Sequence, residues 1–184
     1  VTQLALRLGH ALHLSDTQLS ALRLGAYLHD IGKLAIPDAL LLKPGTLDER
    51  EWQLMRIHPV EGERFAAALG FLPPEATDLI RHHHERWDGA GYPDGQRGEH
   101  IPLLARLFSV VDVYDALLSE RPYKRAWTPD EARTELRRQA GTQFDAGMVA
   151  TFLTLLQRPD DRSANSGNPP VAPAPGDGPD RPPN

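Results

Sequence analysis

Apolar residues recur at helical spacing along most of the chain, and the interruptions between them are turn and capping residues. Residues 1–13 read as one amphipathic helix, already in mid-pattern at Val1-Thr2-Gln3-Leu4 with no cap before it. Ser15 is an N-cap for a second helix running to about His29, with Leu19, Leu22, Ala26 and Tyr27 as its apolar positions. Pro37 and Lys43-Pro44-Gly45 mark a connection. Thr46-Leu47-Asp48-Glu49 fits a capping box, which predicts a helix through Trp52 and Met55 to Ile57. His58 stands before Pro59, where a helix breaks or restarts, and a run over 60–69 stops at Gly70. Pro73-Pro74-Glu75 opens a helix that carries Leu79, Ile80 and then three histidines. Residues 85–101, with four glycines and one proline, read as a long functional loop. From Pro102 to about Ser119 the chain is strongly apolar, as a central helix should be. Thr128-Pro129-Asp130-Glu131 is a further capping box, with its helix ending at Gly141. Asp145 caps a last helix containing Val149, Phe152, Leu155 and Leu156. No stretch alternates as a strand does, so the expected fold is all-α.

Composition changes this picture at the ends. From Pro159 onward Pro, Gly, Asp, Asn and Ala dominate, which predicts a disordered tail over 159–184 behind a single domain over 1–158. The uncapped start predicts a fragment, or a chain whose N-terminus has been removed, and leaves room for a sensory or receiver domain upstream. The 184 residues carry a net charge of -5, so duplex nucleic acid is not an expected partner. No apolar run approaches the ~20 residues of a membrane span, and no secretion signal opens the chain. A cytoplasmic location is the expectation. The absence of cysteine excludes disulfides, thiolate-held zinc and iron–sulfur clusters, leaving His and carboxylate as metal donors.

Those donors are not scattered. His29-Asp30 and His83-His84 each fall at the end of an apolar helical run, and His58 and Asp112 add to them. Neighbouring helical residues point about 100° apart, so both members of a pair reach one ion only at a helix end. Gly32 and the loop after Glu85 supply such ends. Four imidazoles and two carboxylates suit Fe, Mn or Zn better than Mg or Ca. Six donors exceed the needs of one catalytic ion and suit two ions ~3.5–4 Å apart sharing a carboxylate and a hydroxide. Asp30 is the natural bridge, since a carboxylate offers two oxygens. His10, His13 and His100 stand apart, and His82 points elsewhere on its helix.

His29-Asp30-x-Gly32-Lys33, followed by His83-His84-Glu85-Arg86-Trp87-Asp88-Gly89-Ala90-Gly91-Tyr92-Pro93, resembles the HD-GYP branch of the HD metal-dependent phosphohydrolases. Ile36-Pro37-Asp38, Lys43-Pro44-Gly45, Asp112 to Leu117, Arg121-Pro122-Tyr123-Lys124 and Gln143-Phe144-Asp145 extend the match over about 1–156. The resemblance implies a helical bundle, a di- or trinuclear iron or manganese centre, and hydrolysis of cyclic di-GMP to pGpG or GMP. Its metal ligands fall on His29, Asp30, His58, His83, His84 and Asp112. Lys33 would approach the scissile phosphate, and Arg121 and Lys124 would hold phosphate or guanine. Asp88, Gly89, Gly91, Tyr92 and Pro93 would form the signature loop, linked in the family to diguanylate cyclase (GGDEF) partners. Tyr92 or Tyr123 either stacks on a guanine or packs the loop and helix end. A third metal would need family ligands upstream of Val1. Ala35 and Gln96 depart from the usual pattern without touching the expected chemistry. The alternatives are a non-catalytic cyclic di-GMP sensor or cyclase-docking module, and an HD hydrolase of another cyclic dinucleotide.

Overall fold

The computed structural model describes residues 1–120 and 125–157. The expectations for Arg121, Tyr123, Lys124 and the 159–184 tail lie outside the described residues. The elements are α1 (Thr2–Ala11), α2 (Asp16–Leu28), a 3-10 turn (Ile31–Ala35), α3 (Asp38–Leu41), α4 (Glu49–Met55) and α5 (His58–Ala68). They continue with α6 (Pro74–His82), a 3-10 turn (Gly98–His100), α7 (Leu103–Leu118), α8 (Pro129–Gln139) and α9 (Ala146–Gln157). Among the described residues the only extended pairing is an isolated bridge between Ala140 and Phe144, and the all-α expectation holds.

Local chemistry sets the helix starts. Ser15 Oγ accepts the Gln18 N–H at 3.3 Å and Gln18 Oε1 accepts the Ser15 N–H at 3.0 Å. Such a cap is worth ~1 kcal/mol. Thr128 and Glu131 form the same reciprocal box at the start of α8, as expected. The box at α4 differs from the expectation. It forms at Asp48 with Glu51, two residues beyond Thr46 and Glu49. Lys43 Nζ holds both oxygens of Glu51 at 2.7 and 2.6 Å and draws that side chain back over the helix start. α5 restarts at His58 with Pro59 in its first turn, where a missing N–H has no partner to lose. Asp145 Oδ1 accepts the Gly147 N–H at 2.8 Å ahead of α9.

α7 is the central element, packed by α1, α2, α6, α8 and α9. Leu107, Phe108, Val110 and Val111 on it are fully buried, and Tyr114 meets Phe152 of α9 edge-on at 5.3 Å. Each such side chain contributes ~1.5–3 kcal/mol by leaving water. α2 lies close against α6 because Gly25 faces Leu79, whose Cδ1 stands 3.0 Å from where a Cβ would be. The Ile31–Ala35 turn lies still closer to α5: a Cβ on Gly32 would fall 1.8 Å from the His58 carbonyl oxygen. These contacts bring the end of α2, the start of α5 and the end of α6 to one point, over the middle of α7. Among the described residues no helix is long and apolar enough to cross a membrane.

Candidate metal centre

Three helix ends orient three imidazoles by one device. His29 Nδ1 donates to the Ala26 carbonyl at 2.9 Å, His58 Nδ1 to Met55 at 2.8 Å, and His83 Nδ1 to Ile80 at 2.8 Å. Each acceptor lies in the last turn of a helix, where carbonyls have no intrahelical partner. A carbonyl only accepts, so Nδ1 carries a proton in each ring, and Nε2 has a free lone pair whenever the ring is neutral. All three Nε2 atoms face Asp30. His29 Nε2 is 3.4 Å from Asp30 Oδ2, His58 Nε2 is 3.5 Å from Asp30 Oδ1, and His83 Nε2 is 4.0 Å from Oδ1. Asp112 Oδ1, from α7, is 3.7 Å from His29 Nε2. His84 completes the set, grouped with His58 and His83 so that one ring nitrogen of each lies within 4.8 Å of the others. The six residues selected from the sequence are thus brought together, with Asp30 in the middle and its two oxygens facing different histidines. Lys33 Nζ bonds Asp30 Oδ2 at 2.6 Å.

The electrostatics suit a cation. Burial, aided by the neighbouring His84 and His29, pushes His83 well below the ordinary imidazole range. Burial, with His58 beside it, lowers His84 to about 3. His58 is lowered by burial as well. These rings are neutral at pH 7, the form that binds metal. Burial opposes charge on His29 too, but its hydrogen bond to Asp30 and the charges of Asp30 and Asp112 outweigh it and raise that ring. Burial works to raise Asp30, and hydrogen bonds from His29 and Lys33 overcome it, holding the carboxyl far below its usual range. Asp112 is raised by burial. Buried Nε2 lone pairs converging on a carboxylate, with their Nδ1 atoms already bonded, are a donor set that fits a divalent metal.

The floor of the centre comes from a residue the sequence does not single out, and its wall from Tyr92 of the expected signature loop. Phe108 of α7 lies under His29, ring centroids 4.9 Å apart, and also meets His83 edge-on at 6.4 Å. Nothing in a run of apolar residues singles it out. Tyr92 stacks on His84 at 4.8 Å and 27°, and burial pushes its phenol up to about 12, so it stays protonated. Its ring packs on His84, and the residue lines the cleft beside the centre.

The other signature residues shape the loop, and of them Gly91 also lines the cleft beside His84 and Asp112. Arg86 bonds both oxygens of Asp88 at 3.1 and 2.7 Å, which lowers Asp88 to about 2, and Asp88 Oδ1 accepts the Ala90 N–H at 3.0 Å. Gly91 is required by close approach: a Cβ there would fall 2.4 Å from the Arg86 nitrogen. The Tyr92–Pro93 bond is cis. The Asp94 N–H donates to buried Glu85 Oε1 at 2.8 Å, and Arg81 grips Asp94 with two bonds of 2.8 Å. His82, left out of the ligand set, is buried on this side, 3.5 Å from Asp94 Oδ2. The Trp87 and Asp88 N–H groups donate to the Gln143 and Thr142 carbonyls at 3.0 and 2.8 Å, tying the loop to the turn before α9. A larger cleft of about 600 Å³ between α1 and α9 holds His10 and His13 but no carboxylate, in keeping with their exclusion.

A helical fold whose helix ends carry a His-Asp and a His-His pair onto one point defines an HD-type domain. The HD domain family model matches residues 1–148, and the chain belongs to that family. It is 49% identical over 144 residues to the cyclic di-GMP phosphodiesterase response regulator RpfG of Xanthomonas campestris, covering 77% of this chain and 38% of that protein. It is 39% identical over 148 residues to the 3'3'-cGAMP-specific phosphodiesterase 2 of Vibrio cholerae, covering 80% of this chain and 28% of that one. The chain therefore spans only about a third of the length of these relatives. A solved HDGYP protein of Bdellovibrio bacteriovorus shares the fold with a TM-score of 0.69 at 24% identity, over 85% of this chain and 50% of that one.

Proposed function

We propose that this domain is a metal-dependent phosphodiesterase that hydrolyses cyclic di-GMP to pGpG, GMP or both. The observation that carries the reading is the convergence of His29, Asp30, His58, His83, His84 and Asp112 on one point, with Lys33 bonded to Asp30 at 2.6 Å. In this reading the six side chains would hold two divalent ions, iron or manganese. When bound, such ions neutralise phosphoryl charge and make water acidic enough to be a nucleophile at neutral pH. The protein's own residues do the rest. The Ala26, Met55 and Ile80 carbonyls keep the imidazoles aimed, which removes reorganisation from the reaction. Lys33, at the open edge of the centre, exchanges Asp30 for a non-bridging oxygen of the scissile phosphate as charge builds there. Phe108 and Tyr92 exclude water from the flanks.

Relatives named for cyclic di-GMP support this substrate. A second reading, hydrolysis of a mixed cyclic dinucleotide, is favoured by relatives named 3'3'-cGAMP-specific phosphodiesterases. The proposal includes an upstream sensory or receiver domain, supported by one relative being named a response regulator, and a GGDEF partner at the signature loop. The test is reconstitution with Fe(II) or Mn(II) without air, followed by chromatography of cyclic di-GMP and 3'3'-cGAMP. Conversion to linear product is expected. Metal-loaded protein that binds cyclic di-GMP without turnover would instead make it a sensor.

A further inference from the structure

The metal centre opens onto two clefts. One of about 440 Å³ is bordered by Asp30 and Lys33 together with Tyr27, Leu34 and Leu41. The other, of about 210 Å³, is bordered by His84, Tyr92, Asp112, Arg86 and Arg56. A cyclic dinucleotide is a closed ring with phosphodiesters on opposite sides. Only one of them can lie on the metal centre at a time, and the other needs a counter-charge across the ring.

The cations around these clefts differ in what already holds them. Lys33 is bonded to Asp30 at 2.6 Å. Arg86 is engaged by both oxygens of Asp88. Arg56 has no carboxylate partner among the described residues. Its guanidinium lies over the ring of Tyr92, 5.7 Å from the centroid, while the same tyrosine stacks on His84. Arg56 follows Met55, whose carbonyl aims the His58 ring, so one helix end sets both. A guanidinium resting on an aromatic face keeps its in-plane N–H donors free, and those donors match two phosphate oxygens.

We propose that Arg56 anchors the phosphate of a cyclic dinucleotide that does not lie on the metal centre, and thereby selects a two-phosphate ring over a simple phosphodiester. The proposal rests on the cyclic-dinucleotide reading above. It makes Arg56 a substrate-anchoring residue with no part in bond cleavage.

The test uses metal-loaded protein and two substrates, cyclic di-GMP and bis(p-nitrophenyl) phosphate, which has a single phosphate. Arg56→Ala should raise KM for cyclic di-GMP by about 10- to 100-fold, the loss expected for a charged hydrogen-bonded contact. Its kcat should stay within about threefold, and kinetics on bis(p-nitrophenyl) phosphate should be unchanged. Arg56→Lys should recover part of the loss by keeping the charge without the fork. The rise of KM with added salt should be shallower in Arg56→Ala than in the wild type. Equal losses on both substrates, an unchanged KM for cyclic di-GMP, or an unchanged salt dependence would overturn the role. Wild-type protein that cleaves bis(p-nitrophenyl) phosphate but no cyclic dinucleotide would defeat the substrate reading, and Arg56 with it. Wild-type turnover of cyclic di-GMP with an indifferent Arg56→Ala would defeat the Arg56 role alone.

Discussion

Replacing Gly32 by alanine probes the joint on which the metal centre depends. The new Cβ would lie 1.8 Å from the His58 oxygen, 2.4 Å from the Gly62 nitrogen and 2.8 Å from the His58 carbonyl carbon. All three are backbone atoms, so no side chain can rotate away. To restore ordinary contact near 3.4 Å, the Ile31–Ala35 turn and α5 must separate by about 1.6 Å. Overpacking against side chains costs ~1–3 kcal/mol, and backbone neighbours place this case at or above the upper end. At ~2–4 °C per kcal/mol for a chain of this size, the expected fall in Tm is about 6–12 °C. The separation also carries His58 away from Asp30, now 3.5 Å apart, and ligand distances tolerate only ~0.2 Å. Metal affinity should therefore fall even where the protein stays folded. Gly62→Ala is the control. Its Cβ meets the Ile80 Cγ2 methyl at 2.9 Å, which can shift, and the Gly32 backbone nitrogen at 3.3 Å, a far smaller overlap than at Gly32, so the cost should be about 1 kcal/mol with metal retained. Calorimetric melts and metal analysis of both variants decide the matter. A Gly32→Ala protein with wild-type Tm and metal content, or one indistinguishable from Gly62→Ala, would refute the reasoning.

Further outcomes follow from the same geometry. Asp30→Ala should abolish activity and strip the bound metal, measured by mass spectrometry of the protein; full metal content would disprove the bridging assignment. Lys33→Ala should keep the metal and lower kcat by about 10²-fold, as loss of a transition-state charge contact does, and an unchanged kcat would remove Lys33 from the chemistry. Metal-free protein should lose stability as pH falls below 6.5. His84, at about 3 in the native state, stays neutral while the unfolded chain takes up protons, so stability present above 6.5 is lost on acidification. That one group accounts for about 2 kcal/mol at pH 5. His58 and His83 act in the same direction. His29, raised, acts oppositely, its contribution being present below 6.5 and lost as pH rises through its native pKa. Urea melts of chelator-treated protein between pH 7.5 and 5 test the net slope, and rising stability toward pH 5 would contradict it.

Much of the fold was legible because helix boundaries are written locally. Ser15, Thr128, Pro74 and Asp145 each act where their chemistry indicates. The start of α4 was misread because Thr46/Glu49 and Asp48/Glu51 present the same pattern. The choice between them falls to Lys43, eight residues from Glu51. The metal donors could be selected because paired ligands at helix ends are a local signal. Their convergence is not local. It depends on Gly32 and Gly25 letting three helices approach, and on Phe108, which reads as one more apolar residue in α7. Arg56 was passed over for a related reason. An arginine at a helix end looks solvated until Tyr92, brought back by the turn at Gly91, is found beneath it.

The central claim is that six side chains, Asp30 among them, converge to form a two-metal site. Metal analysis of wild-type protein purified without air tests it most directly. The account predicts two equivalents of a divalent transition metal, iron or manganese, per chain. One equivalent or none, in protein that is folded by its melting curve, would contradict it.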